Sequence, residues 1–229
     1  MIVAIDGPAG TGKGTISKLV AERLFFTYID TGAMYRSITL KMIRNNIDIT
    51  ELDKIKDLLS NTSIEFESAY DKDENFYQKV FLDGEDVTDE IRTPKINEKV
   101  SPYSNEPIIR EHLVKMQREY ANSKNIIMEG RDITTVVFPN AEVKIYLDAT
   151  PEERANRRYK ELIAKGIETT YEDTLESINK RDYNDRTKPV GALKIADDAV
   201  VIDTTTLSIE EVYEKVRMII LGKMNLYLE

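Results

Sequence analysis

The first fifteen residues restrict the fold of this chain more than any other stretch. Met1-Ile-Val-Ala-Ile5 is a short apolar run rich in β-branched residues, and it passes through Asp6 into Gly-Pro-Ala-Gly-Thr-Gly-Lys-Gly-Thr at 7–15. A helical pattern follows at once, with Ile16, Leu19, Val20 and Leu24 on one face. An apolar strand, a glycine-rich turn and a helix in this order make a phosphate-binding loop. The turn can wrap an anion closely, and the N–H groups at the helix start face it with the positive end of the helix dipole. Lys13 adds a mobile point charge. The residue after Lys13 is Gly14, and the hydroxyl arrives one place later on Thr15. A turn of this kind that holds no ligand would not need the strand, the spacing, the lysine and the helix together.

Further along, apolar strands alternate with amphipathic helices. The strands are read at 26–29, 125–128, 143–147 and 200–203, and the helices at about 33–44, 51–61, 107–123, 152–167 and 171–186, with one more after 208. Five such strands, counting the first, predict a parallel α/β sheet flanked by helices with right-handed crossovers. Pro94 and Pro107 read as first-turn helix positions. Thr150-Pro-Glu-Glu153 and Ser208-Ile-Glu-Glu211 read as capping boxes.

The exception is 63–92. Ser63 to Glu67 alternates, Gln78 to Leu82 is strand-like, and Asp83-Gly84 is a hairpin signal. That is a small antiparallel insert. At 229 residues the whole chain is expected to be one domain carrying it.

Charged residues gather just after strand ends, where open α/β sheets bind ligands. Arg36 follows the second strand, and Glu129-Gly-Arg-Asp132 follows the third. Arg154, Arg157 and Arg158 share one helix and read either as a solvated face or as a lid over phosphoryl groups. Arg181–Asp185 and Asp182–Arg186 read as i,i+4 helix pairs worth about 0.2–0.5 kcal/mol each. The single histidine, His112, lies beside an apolar helical stripe and reads as packing.

Composition excludes several classes. There is no cysteine, so neither disulfides nor thiolate chemistry is available, and the cytosol is the expected compartment. Met1 leads straight into the first strand, and no signal peptide is expected. No apolar run approaches the roughly 20 residues that span a membrane. A net charge of −9 argues against broad nucleic-acid binding.

Eight blocks in their spacing give a resemblance to the bacterial cytidylate kinase family over nearly the whole chain. They are residues 7–15, Asp-Thr-Gly-Ala-Met-Tyr-Arg (30–36), Asp-Gly-Glu-Asp-Val-Thr-Asp-Glu-Ile-Arg-Thr (83–93), Glu-Gly-Arg-Asp-Ile (129–133), Val-Val-Phe-Pro-Asn-Ala (136–141), Val-Lys-Ile-Tyr-Leu-Asp-Ala (143–149), Arg-Asp-Tyr-Asn-Asp (181–185) and Asp-Thr-Thr-Thr-Leu-Ser-Ile-Glu (203–210). The resemblance implies a P-loop NTPase-type fold: a five-stranded parallel sheet flanked by helices, a monophosphate-binding insert at about 63–92 and a short helical lid at about 152–167. It implies transfer of the ATP γ-phosphoryl group to CMP or dCMP, with Mg²⁺ accompanying ATP and no dedicated protein metal site. Carried over by position, Gly7, Pro8, Ala9, Gly10, Thr11, Gly12, Lys13, Gly14, Thr15 and Arg157 would hold ATP. Thr31, Arg36, Ser101, Arg110, Arg131, Asp132, Arg181, Asp185 and Lys188 would hold CMP. Lys13, Arg131, Arg158 and Asp132 would act in the transfer itself, and the protein would work as a monomer on small molecules without a nucleic-acid or membrane partner. Thr31, Thr134, Lys188 and Ala192 depart from the family's usual serine, glycine, arginine and proline. Two rivals stay open: a kinase for UMP, AMP or dTMP, and a nucleotide-binding switch.

Overall fold

A computed structural model describes residues 1–121 and 125–225. In chain order the elements are β1 (Ile2–Asp6), α1 (Lys13–Leu24), β2 (Thr27–Asp30), α2 (Thr31–Arg44), α3 (Leu52–Ser60), β3 (Ile64–Tyr70), β4 (Phe76–Leu82), β5 (Glu85–Asp86), α4 (Pro94–Asn105), α5 (Pro107–Glu119), β6 (Ile126–Gly130), β7 (Val143–Asp148), α6 (Pro151–Ala164), α7 (Tyr171–Thr187), β8 (Val200–Asp203) and α8 (Ile209–Asn225). The expected helix at 107–123 ends earlier, at Glu119, and residues 122–123 of that expectation lie outside the described residues.

One sheet has five strands in the order β2-β6-β1-β7-β8, and a separate sheet has three, β3-β4-β5. The chain divides into two compact units, Met1–Phe26 with Asn125–Glu229, and Thr27–Lys124.

In the first unit β1 runs parallel to β6 on one side and β7 on the other, which is why it reads as continuously apolar. Val3, Ala4 and Ile5 are fully buried, as are Ile126, Ile127, Ile145 and Leu147 on its neighbours. The register sets Asp6 opposite Gly130 and Tyr146. The P-loop and the Arg131–Asp132 segment therefore leave adjacent strands side by side. α1 packs on β6 and against α8, and α6 packs on α7. Phe25 caps α1 in a left-handed conformation (φ 57°).

In the second unit α2 begins at Thr31, two residues before the expected start, because the Asp30 carboxylate caps it by accepting from the Ala33 N–H (3.0 Å). The antiparallel insert forms as its alternation predicts, with Ile64 opposite Leu82 and Tyr70 opposite Phe76. Asp83 and Gly84 both take positive φ (52° and 84°), the turn that matches strand twist in a two-residue hairpin. The insert is one part of this unit, whose core joins Met34, Ile38, Ile55, Val80, Leu82, Ile91, Ile109 and Leu113.

The two capping boxes differ. Ser208 and Glu211 make both reciprocal bonds (2.8 and 3.3 Å). Thr150 accepts from the Glu153 N–H (3.3 Å), but the return bond is not made. The Thr150 N–H goes to Thr205 Oγ1 (3.1 Å), and the Glu153 carboxylate is taken by Arg157 (2.9 Å) and Asn156 (3.3 Å).

Candidate active site

The P-loop is shaped by what surrounds it. A Cβ on Gly7 would lie 2.1 Å from the Leu147 carbonyl oxygen, so only glycine lets β1 turn off beside β7. Gly10 turns in the left-handed region (φ 83°), where a side chain would press on Arg154. Gly12 is the N-cap of α1, and no side chain caps that helix. Its first N–H groups are left for an anion. Thr15 stands exposed on the first turn.

Lys13 folds back into the loop, donating to Pro8 O at 2.7 Å and lying 3.5 Å from Thr11 Oγ1. Burial pulls its ammonium group down to about 7; the charges of Arg131 and Arg181 add to this, while Glu129 and Asp6 oppose it.

Asp6, at the mouth of the loop, is fully buried and accepts from the Ile133 N–H (2.9 Å), the Thr134 N–H (2.7 Å) and the Thr134 hydroxyl (2.7 Å). Burial raises its pKa against these bonds. The threonine at 134, where the family usually has glycine, thus uses its hydroxyl to join the loop after β6 to β1. Residues Ile133–Val137 wind into a π-helical turn, with the N–H groups of Val136 and Val137 both on Asp132 O. Asp132 itself is buried, 5% exposed. Sequence reasoning passed over Asp6. An acidic residue closing an apolar strand was the available signal.

Arg131 donates from Nε to Asp185 Oδ2 at 2.6 Å. Burial works against both charges, yet each holds the other ionised, with the arginine raised and the carboxyl lowered. Arg181 and Lys188 add favourable charge around Asp185. Asp182 gives both oxygens to Arg154 (3.0 and 2.5 Å). The expected i,i+4 pairs along α7 give way to these cross-element partners, because a carboxylate drawn out of water gains more from a guanidinium that is also shielded than from a solvated helix neighbour.

The three arginines of α6 do not act alike. Arg154 is buried at 1% exposure, Arg157 is bound to Glu153 and to Thr204 O (2.5 Å), and Arg158 is half-buried and paired with Glu161 (2.8 Å). Of the two readings given for these arginines, solvated face or lid, neither fits Arg154, which is buried with all three nitrogens engaged by the protein.

In the second unit, Arg36 donates to Asp30 Oδ2 at 2.8 Å, and its Nε is buried without a hydrogen-bond partner. Burial raises the Asp30 pKa, but Arg36, the Ala33 N–H and Arg92 together bring it below its ordinary value. Arg110 is buried, with its guanidinium 5.7 Å from the centre of the Tyr35 ring and Nη1 on Ser104 O (3.3 Å). Thr31 is buried at the start of α2, and Ser101 is exposed on α4. The start of α2 and Arg110 of α5 thus come together; Tyr35, which sequence reasoning left unassigned, is the link between them. His112 has a partly buried ring with Nε2 unpartnered and a pKa lowered by burial.

Among the described residues no group of three or more His, Cys, Asp or Glu side chains could hold a metal ion. A magnesium ion carried by nucleotide phosphates and water needs no such cluster.

A parallel sheet whose central strand feeds a P-loop, with buried Lys13 and Arg154 at that loop, defines a P-loop protein. A sequence model of the cytidylate kinase family matches residues 3–221, and the chain belongs to that family. Among curated relatives, the cytidylate kinase of Caldicellulosiruptor bescii is 52% identical over 214 residues, covering 93% of this chain and 92% of its own. That of Bacillus subtilis is 47% identical over 214 residues, covering 93% of each chain. A solved structure of an uncharacterized protein from Eubacterium ventriosum shares the fold at 13% identity, with a TM-score of 0.50 over 95% of this chain and 96% of that one.

Proposed function

We propose that this protein transfers the γ-phosphoryl group of ATP to CMP or dCMP, giving ADP and CDP or dCDP. The observation that carries the reading is the pairing of a P-loop at the end of β1 with Arg131 and Asp132 at the end of β6, in a chain of the cytidylate kinase family. Phosphoryl transfer needs alignment and neutralised charge more than covalent help. The acceptor's phosphate oxygen is already an anion, so no general base is assigned.

In this reading residues 7–15 hold the ATP phosphates and Lys13 swings from Pro8 O to the transferring group. Arg131, aimed by Asp185, meets the phosphoryl oxygens. Arg36 takes the acceptor's phosphate; Ser101, Arg181 and Asp185 take its pentose; Thr31, Arg110, Asp132 and Lys188 surround its base. Arg157 and Arg158 belong to a lid at about 152–167, and the 63–92 insert covers the acceptor. Magnesium bound to ATP would neutralise phosphate charge, and Thr15 is the loop hydroxyl suited to it. The protein is assigned to the cytoplasm as a monomer; no described helix is long and apolar enough to cross a membrane.

A coupled assay of ADP formation with CMP, dCMP, UMP, AMP and dTMP tests the reading. Turnover should be greatest with CMP or dCMP. A preference for another monophosphate would move the assignment to that acceptor, and nucleotide binding with no transfer to any would favour a switch.

A further inference from the structure

We propose that Arg154 is the positioning residue of the P-loop, held by Asp182 as a buried strut, and that it never meets a phosphate. The proposal rests on the reading of this chain as an ATP-dependent kinase, but its test does not depend on the acceptor.

Each of the three guanidinium nitrogens is committed. Nε donates to Ala149 O (2.9 Å), Nη1 to Asp182 Oδ1 (3.0 Å) and Ala9 O (3.2 Å), and Nη2 to Asp182 Oδ2 (2.5 Å). Ala149 directly follows β7, Ala9 lies inside the P-loop, and Asp182 is on α7. One planar group therefore ties three elements in fixed geometry, which a bidentate guanidinium–carboxylate pair is suited to do.

The loop also rests on this residue physically. A Cβ on Gly10 would lie 3.1 Å from Arg154 Cβ and 3.3 Å from its carbonyl oxygen. The loop is thus gripped at consecutive residues, through the Ala9 carbonyl and through the close pass of Gly10. The carbonyl bond turns Ala9 O inward, away from the anion the loop's N–H groups must face.

Stability alone does not account for the pair. Replacing a buried ion pair by apolar side chains of similar volume is often neutral or stabilising. A charged pair with Arg154 at 1% exposure and Asp182 at 7% is then better understood as fixing one loop conformation. The α7 face that supplies Asp182 also supplies Asp185, which aims Arg131. The helix consequently sets both the loop and the arginine beside it.

The test compares Arg154→Lys and the double variant Arg154→Met/Asp182→Leu with the unaltered chain. Mg·ADP affinity is measured by calorimetry, melting temperature by circular dichroism, and KM for ATP and for CMP by the coupled assay. Lysine keeps the charge but loses the fork. The double variant removes the charges together and should melt within a few degrees of the parent. Both should bind Mg·ADP at least tenfold more weakly, with KM for ATP raised by a similar factor and KM for CMP changed less than threefold. Parental Mg·ADP affinity in either folded variant overturns the proposal, as does an equal rise in both KM values. If the unaltered chain binds Mg·ADP but phosphorylates no monophosphate, the kinase reading fails while the comparison of affinities still decides the role of Arg154. Should the double variant not fold, Arg154→Lys decides alone.

Discussion

The two units differ in how much buried polarity they leave unpartnered, Ser17 Oγ in the first against several atoms in the second. Around the P-loop the buried charges are committed to protein partners: Asp6 to three donors of the 133–134 turn, Asp182 to Arg154, and Asp185 to Arg131. In the second unit several buried polar atoms have no hydrogen-bond partner: Arg36 Nε, Ser37 Oγ, Gln78 Oε1, and both polar atoms of Gln117, a residue only 1% exposed. An unsatisfied buried group costs about 1–3 kcal/mol. In the first unit the charges near the P-loop are already held by protein partners, the arrangement that electrostatic preorganisation calls for, while the second unit bears more of the cost of unpaired buried polar atoms.

The strongest way to break the contrast is at the loop. Lys13→Ala should lower kcat by about 10²–10³-fold, since the transferring phosphoryl loses its nearest cation. The melting temperature should hold or rise, because a poorly solvated amine is removed. Steady-state kinetics with a thermal melt checks both.

Next is Arg36→Met, which should raise KM for CMP by roughly 10–100-fold, the worth of a charge-assisted hydrogen bond of about 1.5–3 kcal/mol. KM for ATP should stay within a factor of about two, if the two units divide the substrates as assigned. A parallel rise in both constants would dissolve that division.

Asp132→Asn should narrow the CMP-to-UMP ratio of kcat/KM by about tenfold, or 1.4 kcal/mol. A carboxylate only accepts hydrogen bonds and so favours the cytosine amino group; an amide can also donate to the uracil carbonyl. Equal losses for both substrates would make Asp132 a structural residue and send the search to Arg110 and Lys188.

Gln117→Leu sharpens the comparison from the other side. Removing both unpartnered atoms should stabilise the unliganded protein by about 1 kcal/mol, read from urea denaturation. A destabilised variant would show that Gln117 is satisfied in solution, by water for instance.

The smallest effect is a proton. Lys13 has a folded pKa of about 7, below its ordinary value of 10.5, so the unfolded chain binds more protons between those values and stability should rise with pH through that window. Phosphates bound beside Lys13 favour the charged form, so Mg·ADP binding near pH 8 should take up a fraction of a proton. Calorimetry in buffers of different ionisation enthalpy measures it, and binding with no proton uptake would contradict the lowered pKa.

Local rules were enough for much of this molecule. Strand β1 and its loop, the alternating elements, the Asp83-Gly84 hairpin and the prolines opening α4, α5 and α6 all follow from periodicity and turn chemistry, which act between residues close in sequence. Of the family-derived positions, Arg131 and Asp132 leave β6 beside the loop, and Thr31 and Arg36 lie in the opening turns of α2.

What only the tertiary structure decided is who pairs with whom. Asp182 and Asp185 lie within reach of Arg186 and Arg181 along their own helix, yet their carboxylates go to Arg154 and Arg131, 28 and 54 residues away. Thr134 reaches back 128 residues to Asp6, and the second half of the Thr150 capping box is taken over by Thr205 and Arg157. Helix spacing reports which charges are neighbours, but not how deeply each is buried. Burial makes an unpaired charge costly enough to override the few tenths of a kcal/mol that a local pair supplies, and it exists only once the strand ends have converged.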